Sequence, residues 1–104
     1  MTKLTILAVL VGLVLTVTPT MAAQHTGTIE RIHLNTTVSD RGVCVRTTPT
    51  GPGTGWFCLW EDTHLYQETT AVLRDAYTNF RACLFNWHTT DPHGHNLINL
   101  LECY

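Results

Sequence analysis

The stretch GVCVRTTPTGPGTGWFCLW, residues 42–60, places one cysteine in each of two apolar runs and separates the runs by turn residues. β-Branched and aromatic side chains dominate both runs, which is typical of β-strands, and the intervening Gly- and Pro-rich segment predicts a hairpin. In such a hairpin Cys44 lies almost opposite Cys58. Whether this pair is a disulfide, a metal clip or a reactive pair depends on the compartment in which the protein works.

The amino-terminal sequence MTKLTILAVLVGLVLTVTPTMAAQ has the pattern of a secretory signal. Lys3 precedes an uncharged apolar run, 4–17, which is too short to cross a bilayer comfortably. Small residues follow, and those ending at Ala22 fit the small-x-small rule for cleavage. We therefore predict a signal peptide over residues 1–22, with cleavage after Ala23 as the alternative.

Residues 23–104 are predicted to form a single small domain that is secreted or periplasmic. This part of the chain contains no lysine, and its arginines are scattered among all eight acidic residues. Nucleic-acid binding needs a basic face that displaces counterions from the phosphates, so the composition argues against a nucleic-acid partner. No stretch after the predicted signal is long and apolar enough to span a membrane.

All four cysteines, Cys44, Cys58, Cys83 and Cys103, belong to the predicted exported domain, where oxidation is the default. No two of them have the C-x-x-C spacing common in zinc sites, and an even number leaves no thiol free for catalysis. Hairpin geometry places Cys44 opposite Cys58. It places Cys83 near Cys103 across a second loop, 88–95, if that longer loop is asymmetric or the hairpin contains a bulge. We therefore predict these two disulfides.

The rest of the chain predicts further strands and one helix. Strand patterns cover residues 27–35, 42–48, 55–61, 80–87 and 96–104, and the first of these has a phase slip typical of a β-bulge. Within residues 62–79, apolar side chains recur at three-, four- and seven-residue spacing, which predicts an amphipathic helix. We expect Asp62 or Thr63 as its N-cap and Asn79 as a left-handed terminator.

The predicted fold is therefore mainly β with one helix. Its order of elements, β-β-β-α-β-β, is that of a five-stranded oligonucleotide/oligosaccharide-binding (OB) barrel with the helix between the third and fourth strands. An open five-stranded sheet with the helix packed on one face is the alternative, because periodicity does not separate the two.

The layout of several segments resembles that of small exported OB-fold proteins. These segments are TGTIERI, GVCVRTT with WFCLWE, and AVLRDAYTN followed by a final strand that ends near a cysteine. The resemblance is to the receptor-binding B subunits of bacterial five-B-subunit toxins of the subtilase-cytotoxin and pertussis-like group. It covers most of residues 23–104 as a layout. It implies an OB-like barrel, extracellular binding of a glycan or receptor, and a closed homo-oligomer. No sugar-binding motif matches residue by residue, so glycan specificity is not implied.

The three tryptophans are the candidate ligand-binding residues, because an indole offers a sugar ring an apolar face and one N–H donor. Trp56 and Trp60 share one face of their strand, whereas Phe57 and Leu59 share the other. Trp87 lies in a later strand. A place in the core is the alternative for each tryptophan.

The loop sequence HTTDPHGH concentrates four side chains that are suitable ligands for zinc or copper: His88, Asp91, His93 and His95. Its Asp-Pro and Gly residues are also ordinary turn residues. A solvated turn is therefore the alternative to a metal site.

No motif in the sequence predicts an enzyme. Ser39, the only serine, lies in a predicted loop, and neither a G-x-S-x-G nor an H-E-x-x-H motif occurs. We therefore predict a non-catalytic exported binding module without a cofactor, whose partner is a glycan or a receptor. The alternative is an exported structural or inhibitory protein that contacts another exported protein through a strand edge or the helix face. Asn35 begins an N-x-T glycosylation pattern, which matters only in a eukaryotic secretory route.

Overall fold

The computed structural model describes residues 23–35 and 41–104. The described part of the chain contains five strands and one helix: β1 (Ala23–Leu34), β2 (Arg41–Thr48), β3 (Trp56–Trp60), α1 (Tyr66–Thr78), β4 (Ala82–Thr90) and β5 (Asn96–Cys103). The predicted order of elements is confirmed. The predicted signal peptide, 1–22, and the loop that holds Ser39 lie outside the described residues.

The five strands form one mixed sheet in the order β1-β2-β3-β5-β4. Neighbouring strands are antiparallel except β3 and β5, which run parallel and pair only at Phe57↔Asn96 and Cys58↔Leu97. β4 also pairs back with β1 along six successive residue pairs that begin at Ala23. α1 packs against β1 and β5. No helix within the described ranges is long and apolar enough to cross a membrane.

Both predicted disulfides are confirmed. In the β2–β3 hairpin, Cys44 pairs directly with Cys58, and their sulfurs are bonded. Cys83 of β4 pairs with Cys103 of β5, and these sulfurs are also bonded. The register between β4 and β5 shifts on either side of Trp87, so of the two alternatives for this hairpin, an asymmetric loop or a bulge, the strands contain an irregularity of the second kind.

The phase slip in the first strand is a β-bulge at Glu30. Ile29 pairs with Thr47 of β2, and Arg31 pairs with Arg46, the residue before Thr47. Glu30 therefore has no partner position of its own in β2 and is the extra residue. The bulge allows both Ile29 and Ile32 to pack in the core. It also places Arg31 on the exposed side of the sheet.

Aromatic rings fill the centre of the core. Phe57 and Phe85 are fully buried with their ring centroids 4.6 Å apart, and Trp87 meets Phe57 edge-on at 5.2 Å. His25 stacks on Phe57 at 5.4 Å. Nε2 of this histidine lies 2.9 Å from the carbonyl oxygen of Pro49, so β1 is tied to the start of the β2–β3 loop.

The helix begins later than the sequence predicts. Tyr66 is its first residue, and Leu65 before it has a φ of 58°. The prediction that Asp62 or Thr63 caps the helix is therefore wrong. The physical reason is local: backbone amides of Thr63 and Tyr66 donate to the carbonyl oxygens three residues earlier, so this segment forms consecutive turns.

The helix ends at Thr78, and the left-handed residue that follows it is Phe80, one position beyond the predicted terminator Asn79. Asn79 has a φ of −105°, whereas Phe80 has a φ of 54°. The backbone amide of Arg81 donates to the carbonyl oxygen of Ala76, which is the long hydrogen bond of a Schellman motif. The prediction for Asn79 is therefore wrong, because the Schellman hydrogen bond requires the left-handed conformation at Phe80.

Candidate functional site

The outer face of β1, β2 and β3 carries a row of cationic and aromatic side chains. Arg31 pairs with Arg46, and Arg46 pairs in turn with Trp56. Directly opposed residues in antiparallel strands project from the same face of a sheet. Phe57, the residue after Trp56 in β3, is buried in the core, so Trp56 and the residues opposite it face outward. These three side chains and His33, also on β1, form what we call the outer-face cluster.

Trp56 is the centre of this cluster. The guanidinium carbon of Arg46 lies 5.5 Å from the centroid of its indole, which is a cation–π arrangement. The imidazole of His33 lies 6.0 Å from the Trp56 ring, with the two planes inclined at 60°. The half-buried indole is thus held in position by its neighbours instead of moving freely on the surface.

The charges of the outer-face cluster are not neutralised within the described part of the chain. The ion pair that the described residues form joins Arg81 to Asp75, with Nε and Oδ2 3.1 Å apart. Neither Arg31 nor Arg46 has a carboxylate partner among residues 23–35 and 41–104. Guanidinium groups that have no carboxylate partner among the described residues can donate hydrogen bonds to an anion, while an apolar ring face packs on the neighbouring indole.

The two other tryptophans occupy different environments. Trp60 is half-buried at the end of β3 and lines a shallow recess with Arg41 and His95. Trp87 is only 8% exposed and contacts Phe57 in the core, because every second side chain of β4 faces the core. The indole of Trp87 is therefore not accessible to a ligand in this structure.

The histidine-rich loop forms a turn stabilised by Asp91. Oδ1 of Asp91 accepts hydrogen bonds from the backbone amides of His93 (2.8 Å) and His95 (3.0 Å). Nδ1 of His95 lies 2.8 Å from the hydroxyl of Thr54, and His88 is exposed in β4. No three His, Cys, Asp or Glu side chains among the described residues are grouped to hold a metal ion. The structure therefore does not bring the four predicted ligands together.

Sequence reasoning did not identify the cluster that Arg31, His33 and Arg46 form with Trp56. Alternation along β2, where Val43 and Val45 are buried, was the available signal that Arg46 faces outward. Which β1 residues lie beside it depends on the bulge, whose exact position the sequence does not specify.

Comparison of the chain with protein-family models, with curated proteins and with solved structures gives no match in any of the three.

Proposed function

We propose that this chain is an exported, non-catalytic binding module and that its ligand is an acidic glycan held on the outer-face cluster. One observation carries the proposal: Arg46 lies over the ring of Trp56 with Arg31 beside it, and neither guanidinium has a carboxylate partner among the described residues. This combination favours a ligand that has both an apolar ring face and a negative charge.

A sugar acid has both features. The C–H face of a pyranose packs on an indole, and its carboxylate accepts paired hydrogen bonds from a guanidinium, whose planar fork matches carboxylate geometry. His33 adds a ring nitrogen close to the same indole. A phosphate-rich polymer is a poorer fit, because the exported domain has more acidic than basic residues.

The arrangement of the strands supports the same proposal. We propose that the sheet is an OB-like barrel, supported by the strand order, the pairing of β4 back to β1 and the helix between β3 and β4. Ligands of OB folds commonly bind on the face of the second and third strands, which here carry Arg46 and Trp56. The resemblance of the segment layout to toxin B subunits favours an extracellular binding role as well.

The two disulfides are consistent with an oxidising compartment, either extracellular or periplasmic. Secretion in particular would place the outer-face cluster where surface glycans of other cells are found. We therefore propose a secreted or periplasmic location.

A glycan array probed with the oxidised protein should give much stronger signals on sialylated or uronate-containing glycans than on their neutral counterparts. Trp56→Ala and Arg46→Gln should each weaken binding to the best glycan about tenfold or more, because each removes one half of the recognition. Affinities measured by calorimetry should also fall as salt concentration rises.

Arg74→Gln is the matched control, because Arg74 is an exposed arginine on α1 rather than on the sheet. It should leave glycan affinity unchanged. Equal binding to acidic and neutral glycans, or unchanged affinity in both Trp56→Ala and Arg46→Gln, would contradict the proposal.

A second candidate function is contact with another protein chain, for which the surface beside α1 is the specific observation. Leu65, Val72 and Leu100 are large apolar residues that remain exposed there, and they line a groove of about 450 Å³ between the helix and β5. Exposed apolar clusters of this kind mark interaction surfaces. We propose a second copy of the chain as the occupant, in agreement with the homo-oligomer that the toxin-subunit resemblance implies.

Light scattering on the oxidised protein should then return a mass of several chains. Val72→Glu should lower it to the mass of one chain, because it puts a charge into the apolar contact. Gln67→Glu adds the same charge at an exposed polar position of the helix and should not change the mass. A wild-type mass of one chain would rule out this assembly.

A further inference from the structure

A groove lies where the end of α1 meets β1 and β2, and its volume is about 570 Å³. Two aromatic side chains line it together with four polar ones: Tyr77, Phe80, Thr28, Glu30, Thr48 and Thr78. We call it the Phe80 groove. It is lined by none of the residues of the outer-face cluster, although Glu30 and Arg31 are adjacent in β1.

Phe80 is unusual in both exposure and backbone conformation. Its side chain is 83% exposed, so it gains little from burial within this chain. Its φ of 54° is one that bulky residues rarely adopt, and glycine usually occupies this position after a helix. Because packing within the chain does not account for a phenylalanine here, its ring points to a ligand outside the chain. Tyr77, also largely exposed, lies beside the same groove.

The polar side of the groove is built around Glu30. Glu30 is the extra residue of the β-bulge, where the direction of the strand changes locally. One carboxylate oxygen, Oε2, accepts a hydrogen bond from the hydroxyl of Thr48 at 2.7 Å. That hydrogen bond orients the carboxylate, and Oε1 retains its full capacity to accept hydrogen bonds from a ligand. The hydroxyl of Thr78 donates to the carbonyl oxygen of Arg74, so its own oxygen is left as an acceptor.

We infer that the Phe80 groove binds an uncharged pyranose ring. The apolar C–H face of such a ring packs on Phe80 and Tyr77, and its hydroxyls donate to Glu30. The Glu30 carboxylate repels a sugar acid, so the groove and the outer-face cluster select different sugars. The inference deepens the proposed function and rests on it for the class of ligand: one glycan places its acidic residue on Trp56 and a neutral residue in the groove.

Saturation-transfer NMR with four neutral disaccharides, lactose, cellobiose, maltose and N,N′-diacetylchitobiose, tests the inference on the oxidised protein. At least one disaccharide should receive saturation on the C–H protons of a pyranose ring. Its dissociation constant should rise about tenfold or more in Phe80→Gly and in Glu30→Ala, because these variants remove the aromatic platform and the acceptor. Phe80→Trp should retain binding.

Phe80→Gly also separates loss of binding from loss of fold. Glycine adopts a positive φ without strain, so this variant should melt at the wild-type temperature or above it. Tyr104→Ala removes another exposed aromatic ring, one that does not line the groove, and should leave disaccharide binding unchanged. Absence of a signal from all four disaccharides, or an unchanged dissociation constant in Phe80→Gly, would overturn the inference. Full binding by Phe80→Leu would do so too, because it would indicate an apolar contact without aromatic stacking.

The two proposals fail in different ways. If the outer-face cluster does not bind acidic glycans, the array gives no signal on them, while binding of the neutral disaccharides is still weakened in Phe80→Gly. If the groove is wrong, the disaccharides give no Phe80-dependent signal while acidic glycans still lose affinity in Trp56→Ala.

Discussion

Replacing Phe57 by alanine should lower the free energy of unfolding by about 3–5 kcal/mol, a large part of the stability of a small domain. Phe57 is fully buried, and three other rings pack against it: His25, Phe85 and Trp87. Gly51 of the β2–β3 loop lies so close that a Cβ on it would be 2.5 Å from the Phe57 ring. Alanine would therefore leave a cavity bounded by two strands and a loop, which cannot all move inward.

Chemical denaturation of the oxidised proteins, followed by circular dichroism, measures this loss. Phe80→Ala is the matched control, because it deletes the same atoms from a ring that is 83% exposed and leaves the positive φ in place. Its free energy of unfolding should change by no more than about 0.5 kcal/mol. A loss below about 1 kcal/mol in Phe57→Ala would contradict the packing described for this ring.

The strands and disulfides were predictable because the information lies close together in the sequence. Cys44 and Cys58 are separated by 14 positions, and the Gly- and Pro-rich turn between them restricts the register of the hairpin. Given that register, the two cysteines must face each other. The pairing of Cys83 with Cys103 needed one further assumption, an asymmetric loop or a bulge, and the structure has register shifts next to Trp87.

The helix ends were not predictable from residue preference alone. Asp62 and Thr63 are good capping residues, yet the chain uses this segment for two turns. Asn79 tolerates the left-handed conformation better than phenylalanine does, yet Phe80 adopts it. In both places the geometry needed to connect the helix to the sheet outweighs the local preference.

Alternation along β3 identified its two faces but not which face is buried. Phe57 faces inward, so Trp56 remains at the surface, while Trp87 in β4 packs inward. The outer-face cluster depends further on how β1 pairs with β2, and a bulge one position away would move Arg31 from beside Arg46. Parts of the site that need long-range register were therefore beyond what the sequence could establish.

Removing the disulfide between β4 and β5, by Cys83→Ala with Cys103→Ala, should lower the free energy of unfolding by about 3 kcal/mol in the chain-entropy model. The bond closes a loop between cysteines 20 positions apart. It also holds the end of β5, which pairs with β3 only as far as Leu97 and beyond that point has strand pairing to β4 alone. The double substitution should therefore loosen this end of the sheet more than the rest.

Chemical denaturation gives the total loss, and hydrogen exchange measured residue by residue shows where it falls. Amides of residues 99–103 should exchange faster relative to those of β2 and β3, because the released strand end opens without global unfolding. Cys44→Ala with Cys58→Ala is the matched control, because the disulfide that it removes closes a loop of comparable size. This variant should lose about the same free energy of unfolding but leave residues 99–103 relatively protected. An equal rise in exchange throughout the sheet would show that the bond between Cys83 and Cys103 does not specifically hold the end of β5.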